Sequence, residues 1–474
     1  MPSIARSSLT LFGSRAAGVL IGFLAVVVFA REIGVAALGS YFLFQALLTV
    51  LSIGTDFGLR SATEKRISEG RPPGEVLGTA ITLKLGFVSL GAAAMLALRD
   101  PIAAYVGADL APLIVAGAVL REAGVLTTFV LRGELRVTAS ATAEFARKVA
   151  FGVVGILLVL QGFGLRGPVY GVIAGYGAMA LVGAVRVDSR PGRPTARMAR
   201  SLLSFGSYRF VTNVGGIGYS WIDVLVIGAF LSPAAVGAYE VAWKVAGVAT
   251  MFGDALATAA FPRLSEFSGR RAIDRVEETF PKLVTPTLAL VVPAFFGTVV
   301  LASEVLDVVF GPAYVIAATA LVVLMADAVA KGFYQPVART LRALDRPDID
   351  AKAAVLQLAL NAALNLLLVP RYGLVGAAVA TVAAGLASKA FATAGLARLI
   401  TVRVQWRQLA WCVVAAVVMA AVVGVSSRTL DVDTAVELAA MVALGVGVYA
   451  GVALAEPTLR GLAVEGASAV RSGR

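Results

Sequence analysis

Apolar stretches too long for a soluble core govern every other reading of this chain. Fourteen of them lie near residues 8–30, 37–61, 76–98, 110–131, 145–161, 168–186, 205–230, 235–260, 282–302, 315–338, 353–369, 373–396, 408–425 and 435–455. A helix needs about 20 mostly apolar residues to cross a bilayer. Only 15% of the 474 residues are charged, against about 25% in soluble domains, so the polar surface is too small to face water. The sequence predicts an all-α polytopic membrane protein of about 14 transmembrane helices. Its N-terminus, MPSIARSSLTLFGSR, runs into an apolar stretch longer than a signal-peptide core, with no small-residue cleavage site, and reads as an uncleaved first span.

What the chain lacks narrows its chemistry. A single cysteine, Cys412, excludes an internal disulfide, and the absence of histidine removes the commonest transition-metal ligand and the usual acid–base residue. No G-x-x-x-x-G-K-[ST] phosphate loop is present. No enzyme, metal or other cofactor is expected.

The net charge of +12 suits nucleic acid in a soluble protein, but its location argues otherwise. One set of loops is rich in cations, for example Arg132, Arg136, Arg147 and Lys148, or Arg186, Arg190, Arg193, Arg197 and Arg200. The opposite set holds only Arg31, Arg99, Arg166, Arg371 and Arg428. By the positive-inside rule both termini are cytoplasmic, and no nucleic acid is needed to explain the basic balance.

The chain also repeats itself. SLTLFGSR at 8–15 returns as SLLSFGSYR at 201–209, LGSY at 38–41 as VGAY at 236–239, LRGELR at 131–136 as LRALDR at 341–346, and FGLRG at 163–167 as YGLVG at 372–376. Four matches in the same order divide the protein into an N-terminal six-helix lobe (1–187), a basic cytoplasmic linker (188–204), a C-terminal six-helix lobe (205–400) and two extra helices with a cytoplasmic tail (401–474). An even number of spans per repeat makes the lobes parallel, the arrangement of transporters that rock two halves around a central cleft.

Charges inside the spans are costly, about 2.5–3.5 kcal/mol each on insertion scales, and mark pathways by default. Asp56 with Arg60, Glu240 with Lys244, and Asp327 with Lys331 are spaced i, i+4, so each pair can neutralise itself. Arg15 and Lys84 have no acid within one turn and need a partner from another helix, a water-filled cavity or an anionic ligand. Arg121 and Lys331 occupy the same place in the two repeats, 210 residues apart, where they would face each other across the cleft. Such cations suit a phosphate-bearing cargo. Glu122, Asp254 and Asp327 are candidates for holding the cations or for binding a coupling ion, as is Asp56. Asn361 and Asn365 share a face of the eleventh span, suited to a cargo hydroxyl or, more commonly, to bonding a neighbouring helix. PRYG at 370–373 reads as a tight hairpin broken by Pro370 and Gly373.

WIDVLVIG at 221–228 with the VGAY turn, FPRLS at 261–265 and the N-x-x-x-N-x-x-x-x-P-R-Y-G-x-x-G-A-A pattern from Asn361 resemble the polysaccharide and O-antigen exporter family of the multidrug/oligosaccharidyl-lipid/polysaccharide exporter superfamily. The resemblance runs over roughly residues 5–400. It implies a flippase that moves polyprenyl-linked oligosaccharide across the cell membrane by alternating access, beside a glycan polymerase or glycosyltransferases. It also implies that Arg15 takes the role of the N-terminal-lobe cations that line a pyrophosphate cavity in related flippases. Extending that role to Lys84, Arg121, Lys331, Arg60 and Lys244 rests on charge alone. Spans thirteen and fourteen resemble the extra pair that forms a lipid-tail groove in some relatives. Two rival readings remain. One is a multidrug and toxic compound extrusion antiporter, a group that usually stops at twelve spans; the other is a non-transporting subunit of a glycan-assembly complex.

Overall fold

A computed structural model describes residues 4–270, 272–457 and 460–461, with side chains described for all of these except 4–17, 19, 208–209, 211–220, 252–260 and 262–263. Among the described residues there is no strand. The helices are α1 (Ile4–Asp56), α2 (Leu59–Ser68), α3 (Pro73–Ala97), α4 (Arg99–Val106), α5 (Ala111–Gly133), α6 (Val137–Leu160), α7 (Arg166–Ala184), α8 (Ala196–Phe230), α9 (Pro233–Gly269), α10 (Ile273–Phe310), α11 (Ala318–Ala343), α12 (Pro347–Ala397), α13 (Trp406–Thr429) and α14 (Ala435–Ala453). The fourteen expected stretches fall on helix, except that 37–61 crosses the turn at Phe57 and Gly58 between α1 and α2. Among the described residues nine helices are long and apolar enough to cross a membrane.

Glycine decides where the longest helices fold back. The 51 residues of α12 would extend about 77 Å at 1.5 Å per residue, more than twice the hydrocarbon thickness of about 30 Å. Gly373, at φ 58° and ψ −134°, breaks the run, and Gly34, at φ 77° and ψ 169°, does the same in α1. A side chain would be strained at either. The PRYG turn therefore hinges on Gly373 alone, with Pro370 still inside the helix.

The chain divides into two compact units, Met1–Gly237 and Ala238–Arg474. The first extends past the expected lobe boundary because α8 joins it. Met198 and Leu202 of α8 pack with Leu59, Val76, Leu126 and Val130. The segment before α8 is docked rather than loose: the Gly192 N–H donates to the Gly74 carbonyl at 2.7 Å, and Thr195 Oγ1 both donates to Glu75 and caps α8 by accepting from the Met198 N–H. In the second unit Phe280 and Val284 of α10 pack with Val337 and Leu341 of α11 and Ala353 and Leu396 of α12.

Within a bilayer lipid tails are as apolar as leucine, so helices adhere through close contact at small residues. Gly167, Gly171 and Gly175 form such a face on α7. A Cβ on Gly171 would stand 2.8 Å from the Gly155 Cα and 2.9 Å from the Phe151 carbonyl oxygen. The repeat-equivalent Gly39 and Gly237 also meet, each placing a Cβ within 2.9–3.0 Å of the other's nitrogen. Gly171→Ile should separate α6 from α7 and cost about 1–3 kcal/mol by overpacking, read as a lower melting temperature of the detergent-solubilised protein. Gly86→Ala, with nothing within 4 Å of the added carbon, should leave melting unchanged.

Candidate functional site

Each unit buries charge inside its helices. In the first, Lys84 on α3 is 4% exposed. Its Nζ donates to Asp56 Oδ1 of α1 at 2.8 Å and to Glu122 Oε2 of α5. Asp56 also accepts the Arg60 N–H at 3.2 Å and pairs with the Arg60 guanidinium at 3.3 Å. The backbone turns at Phe57 and Gly58 between α1 and α2, so the Asp56 carboxylate caps α2 while balancing Lys84. Two acids and two cations close on themselves.

The second unit is not a copy. Asp327 on α11, 2% exposed, accepts from Lys389 of α12 at 2.6 Å and from Lys331 at 3.0 Å. Gly385 makes the room: a Cβ there would stand 2.6 Å from Lys389 Nζ and 2.7 Å from Asp327 Oδ1. One acid thus serves two lysines. Lys331 remains partly exposed and stands 5.9 Å from the Trp243 ring centre. Lys244 pairs with Glu240 at 3.5 Å.

These placements sort the sequence candidates. Lys84 meets acids from two other helices, so its charge is balanced within the protein; Arg60 and Lys244 are likewise paired. Arg121 meets no carboxylate among the described residues: it donates to the Leu48 carbonyl at 3.2 Å and lies 5.9 Å from the Tyr176 ring centre. Asn361 and Asn365 are fully buried. Asn361 Nδ2 donates to Thr381 Oγ1 on the second half of α12, and Asn365 Nδ2 donates to the Asn361 carbonyl and Oδ1. Asn361 therefore bonds across the hairpin, whereas Asn365 bonds back to Asn361 one turn earlier on its own helix. Arg15 and Asp254 lie outside the described side chains.

Ion pairs also form in the connections, where solvent screens them. The Arg99 guanidinium beside Asp109 holds that carboxyl below the usual carboxylate range, and Arg66 does the same for Glu69. Exposed pairs of this kind contribute little to stability.

Sequence reading did not find one feature in detail. A cavity of about 760 Å³ lies between α10, α13 and α14, lined by residues including Pro286, Pro293, Leu301, Met419, Met441 and Tyr449. Polar side chains there are confined to Thr298 and Tyr449, and the Tyr449 hydroxyl is engaged by the Ala289 carbonyl at 2.7 Å. The exposed side chains of Leu290 and Val446 stand at its rim.

A family model described as polysaccharide biosynthesis protein matches residues 28–319, more than half of the chain. The chain belongs to that family. This family member is 35% identical, over 96% of its length and 97% of the relative's, to a probable low-salt glycan biosynthesis flippase, Agl15, of Haloferax volcanii. It is 28% identical, over 80% of its length and 81% of the relative's, to a probable flippase, AglR, of the same organism. Among solved structures, the lipid II flippase MurJ in an inward closed conformation is similar with a TM-score of 0.79 and 14% identity, covering 94% of this chain and 98% of that one. An inward-facing multidrug resistance transporter of the MATE family gives a TM-score of 0.60 and 16% identity, covering 81% and 94%. At these identities the structures speak to fold alone, and the fold is shared.

Lys84 offers a direct test of balance against cargo binding. Lys84→Met leaves two buried carboxylates with one arginine, and should cost about 3–5 kcal/mol and much of the folded yield. Adding Glu122→Gln should restore monodisperse protein, because Asp56 keeps Arg60. Export by that double variant is expected to match wild type; a folded but inactive double variant would instead make Lys84 a cargo ligand.

Proposed function

We propose that this protein is a flippase that carries oligosaccharide linked to polyprenyl phosphate or pyrophosphate from the cytoplasmic to the outer leaflet for surface glycan assembly. The observation that carries this reading is the 35% identity to a relative named as a glycan biosynthesis flippase, over nearly the whole of both chains. It acts as a transporter rather than an enzyme, in the cell membrane, with both termini cytoplasmic by the charge of its loops. A glycan polymerase or glycosyltransferases would be its partners in the pathway. The repeat supports two six-helix lobes joined by the basic linker, with two helices appended.

Arg121 and Lys331 are the cations best suited to the cargo phosphate. Arg121 meets a carbonyl and a ring, and Lys331 is partly exposed beside Asp327, which Lys389 also contacts. Arg15 keeps the role that the family resemblance implies. The apolar cavity along α13 and α14 suits a polyprenyl chain, so that the head would cross through protein while the tail stays in lipid. An inside-negative potential assists, since one negative charge moving outward gains roughly 2.3 kcal/mol per 100 mV.

Deleting the gene should cause a complete lipid-linked oligosaccharide to accumulate while surface glycan disappears, measured by mass spectrometry of extracted polyprenyl lipids. Arg121→Ala and Lys331→Ala should each complement poorly, with export reduced about tenfold, yet insert and fold normally. Unchanged glycans with greater sensitivity to cationic drugs would favour a MATE-type antiporter instead.

A further inference from the structure

The first unit contains a second unbalanced guanidinium, on a residue that its sequence position assigned to a loop. Arg147 lies ten residues into α6, about 15 Å along the helix at 1.5 Å per residue. Its guanidinium carbon stands 5.4 Å from the centre of the Tyr176 ring, the same ring that Arg121 approaches to 5.9 Å. Both distances fall inside the about 6 Å range over which an aromatic ring attracts a cation. Two guanidiniums therefore share one tyrosine.

Glycines fix the arrangement at backbone level. Gly175 lets α7 approach so closely that a Cβ would stand 2.8 Å from the Arg147 carbonyl oxygen and 3.4 Å from its Cγ. Gly124 does the same for α5, where a Cβ would stand 3.1 Å from the Tyr176 carbonyl oxygen. The three side chains come from three helices held in contact, so they form a rigid group rather than a loop cluster.

No ion pair among the described residues meets the charge of this group. Asp56 and Glu122 are committed to Lys84 and Arg60, and Glu144, the acid of α6, pairs with Arg132. Among the described residues no carboxylate lies within ion-pair distance of Arg121 or Arg147. Each guanidinium offers five N–H donors, and Arg121 spends one on the Leu48 carbonyl. Both arginines and Tyr176 are partly exposed, so a ligand can reach them. A shared ring orients two like charges but does not neutralise them; an anion with several acceptor oxygens does. Guanidinium forks match phosphate oxygens two at a time.

We infer that Arg121, Tyr176 and Arg147 form a clamp for a phosphate or pyrophosphate group, with the arginines as ligands and the tyrosine as their positioning residue. That the group arrives on a lipid carrier rests on the flippase reading; that the clamp takes phosphate does not.

The test is titration of the purified full-length protein in detergent with two probes, a C55 polyprenyl monophosphate and inorganic pyrophosphate. Arg121→Gln and Arg147→Gln should each weaken binding about tenfold, and together abolish it. Arg147→Lys should be milder, and Tyr176→Leu should weaken binding more than Tyr176→Phe, which keeps the ring. Arg99→Gln, in an exposed connection, should change nothing. Sensitivity of both probes to the two glutamine variants supports a clamp open to free phosphate; sensitivity of the polyprenyl probe alone supports one reached only from lipid. Wild-type affinity of both variants for both probes, in monodisperse protein, overturns the clamp. Should the variants lose binding while a deletion strain keeps normal glycans, the clamp stands and the flippase reading falls. Unchanged binding in variants of a protein whose wild type restores export would remove the clamp alone.

Discussion

The cost of an unbalanced charge in a medium that cannot solvate it organises this protein. Lys84 is tolerable on α3 only because α1 and α5 each bring a carboxylate to it. That requirement fixes the register of three helices more sharply than apolar packing does, since neighbouring apolar side chains can slide past one another at little cost. Asp327 and Lys389 fix α11 against α12 in the same way. Buried pairs of this kind add little net stability, but breaking one is expensive, so they act as registers. The two units solve the problem differently. The first closes a neutral group of four, whereas in the second Asp327 meets two lysines, so the two units arrange their buried charges differently.

The fold was largely legible because the feature that sets it, apolar length, is local. Nearly all of the expected apolar length falls on helix, and the turn at Gly373 sits inside the PRYG signal. The partners of Lys84 were not legible, because they lie 28 and 38 residues away and sequence spacing reveals only neighbours one turn apart. Arg147 sits at the edge of the 145–161 stretch beside Lys148 and reads with the basic connections, but α6 begins eight residues before that stretch, in the polar segment VTASATAE, and carries Arg147 well inside the helix. Asn361 and Asn365 were correctly placed on one face of a helix. The partner of Asn361, Thr381, comes from the far side of the hairpin, and only its position distinguishes a structural bond from a ligand contact.

Glycine supplies what apolar patterning cannot. The α7 face of Gly167, Gly171 and Gly175 brings α6 to backbone contact, and in lipid such contact is a principal source of helix adhesion. The same close approach has a chemical consequence. It delivers Arg147 to Tyr176 and, through Gly124, delivers α5 with Arg121 to the same ring. Gly385 likewise leaves the space that Lys389 and Asp327 fill. Small residues here determine which charges meet, and therefore which remain available.

Availability separates the cations into two kinds. Those paired with buried acids, Lys84 and Lys389, are nearly inaccessible and hold helices. Arg121 and Arg147, partly exposed against a ring and a carbonyl, retain most of their donors. A site that must accept an anion and then release it gains nothing from the strongest possible partner, because transit requires binding firm enough to admit the ligand and weak enough to let it leave. Cation–π contact meets that condition: it orients the guanidinium at a cost of little charge, so the incoming anion displaces water rather than a carboxylate. A resident acid would have to be outcompeted by every cargo. Among the described residues no acid pairs with Arg121 or Arg147, although Glu122, the next residue after Arg121 on α5, is committed to Lys84; that is the arrangement a reversible phosphate site requires.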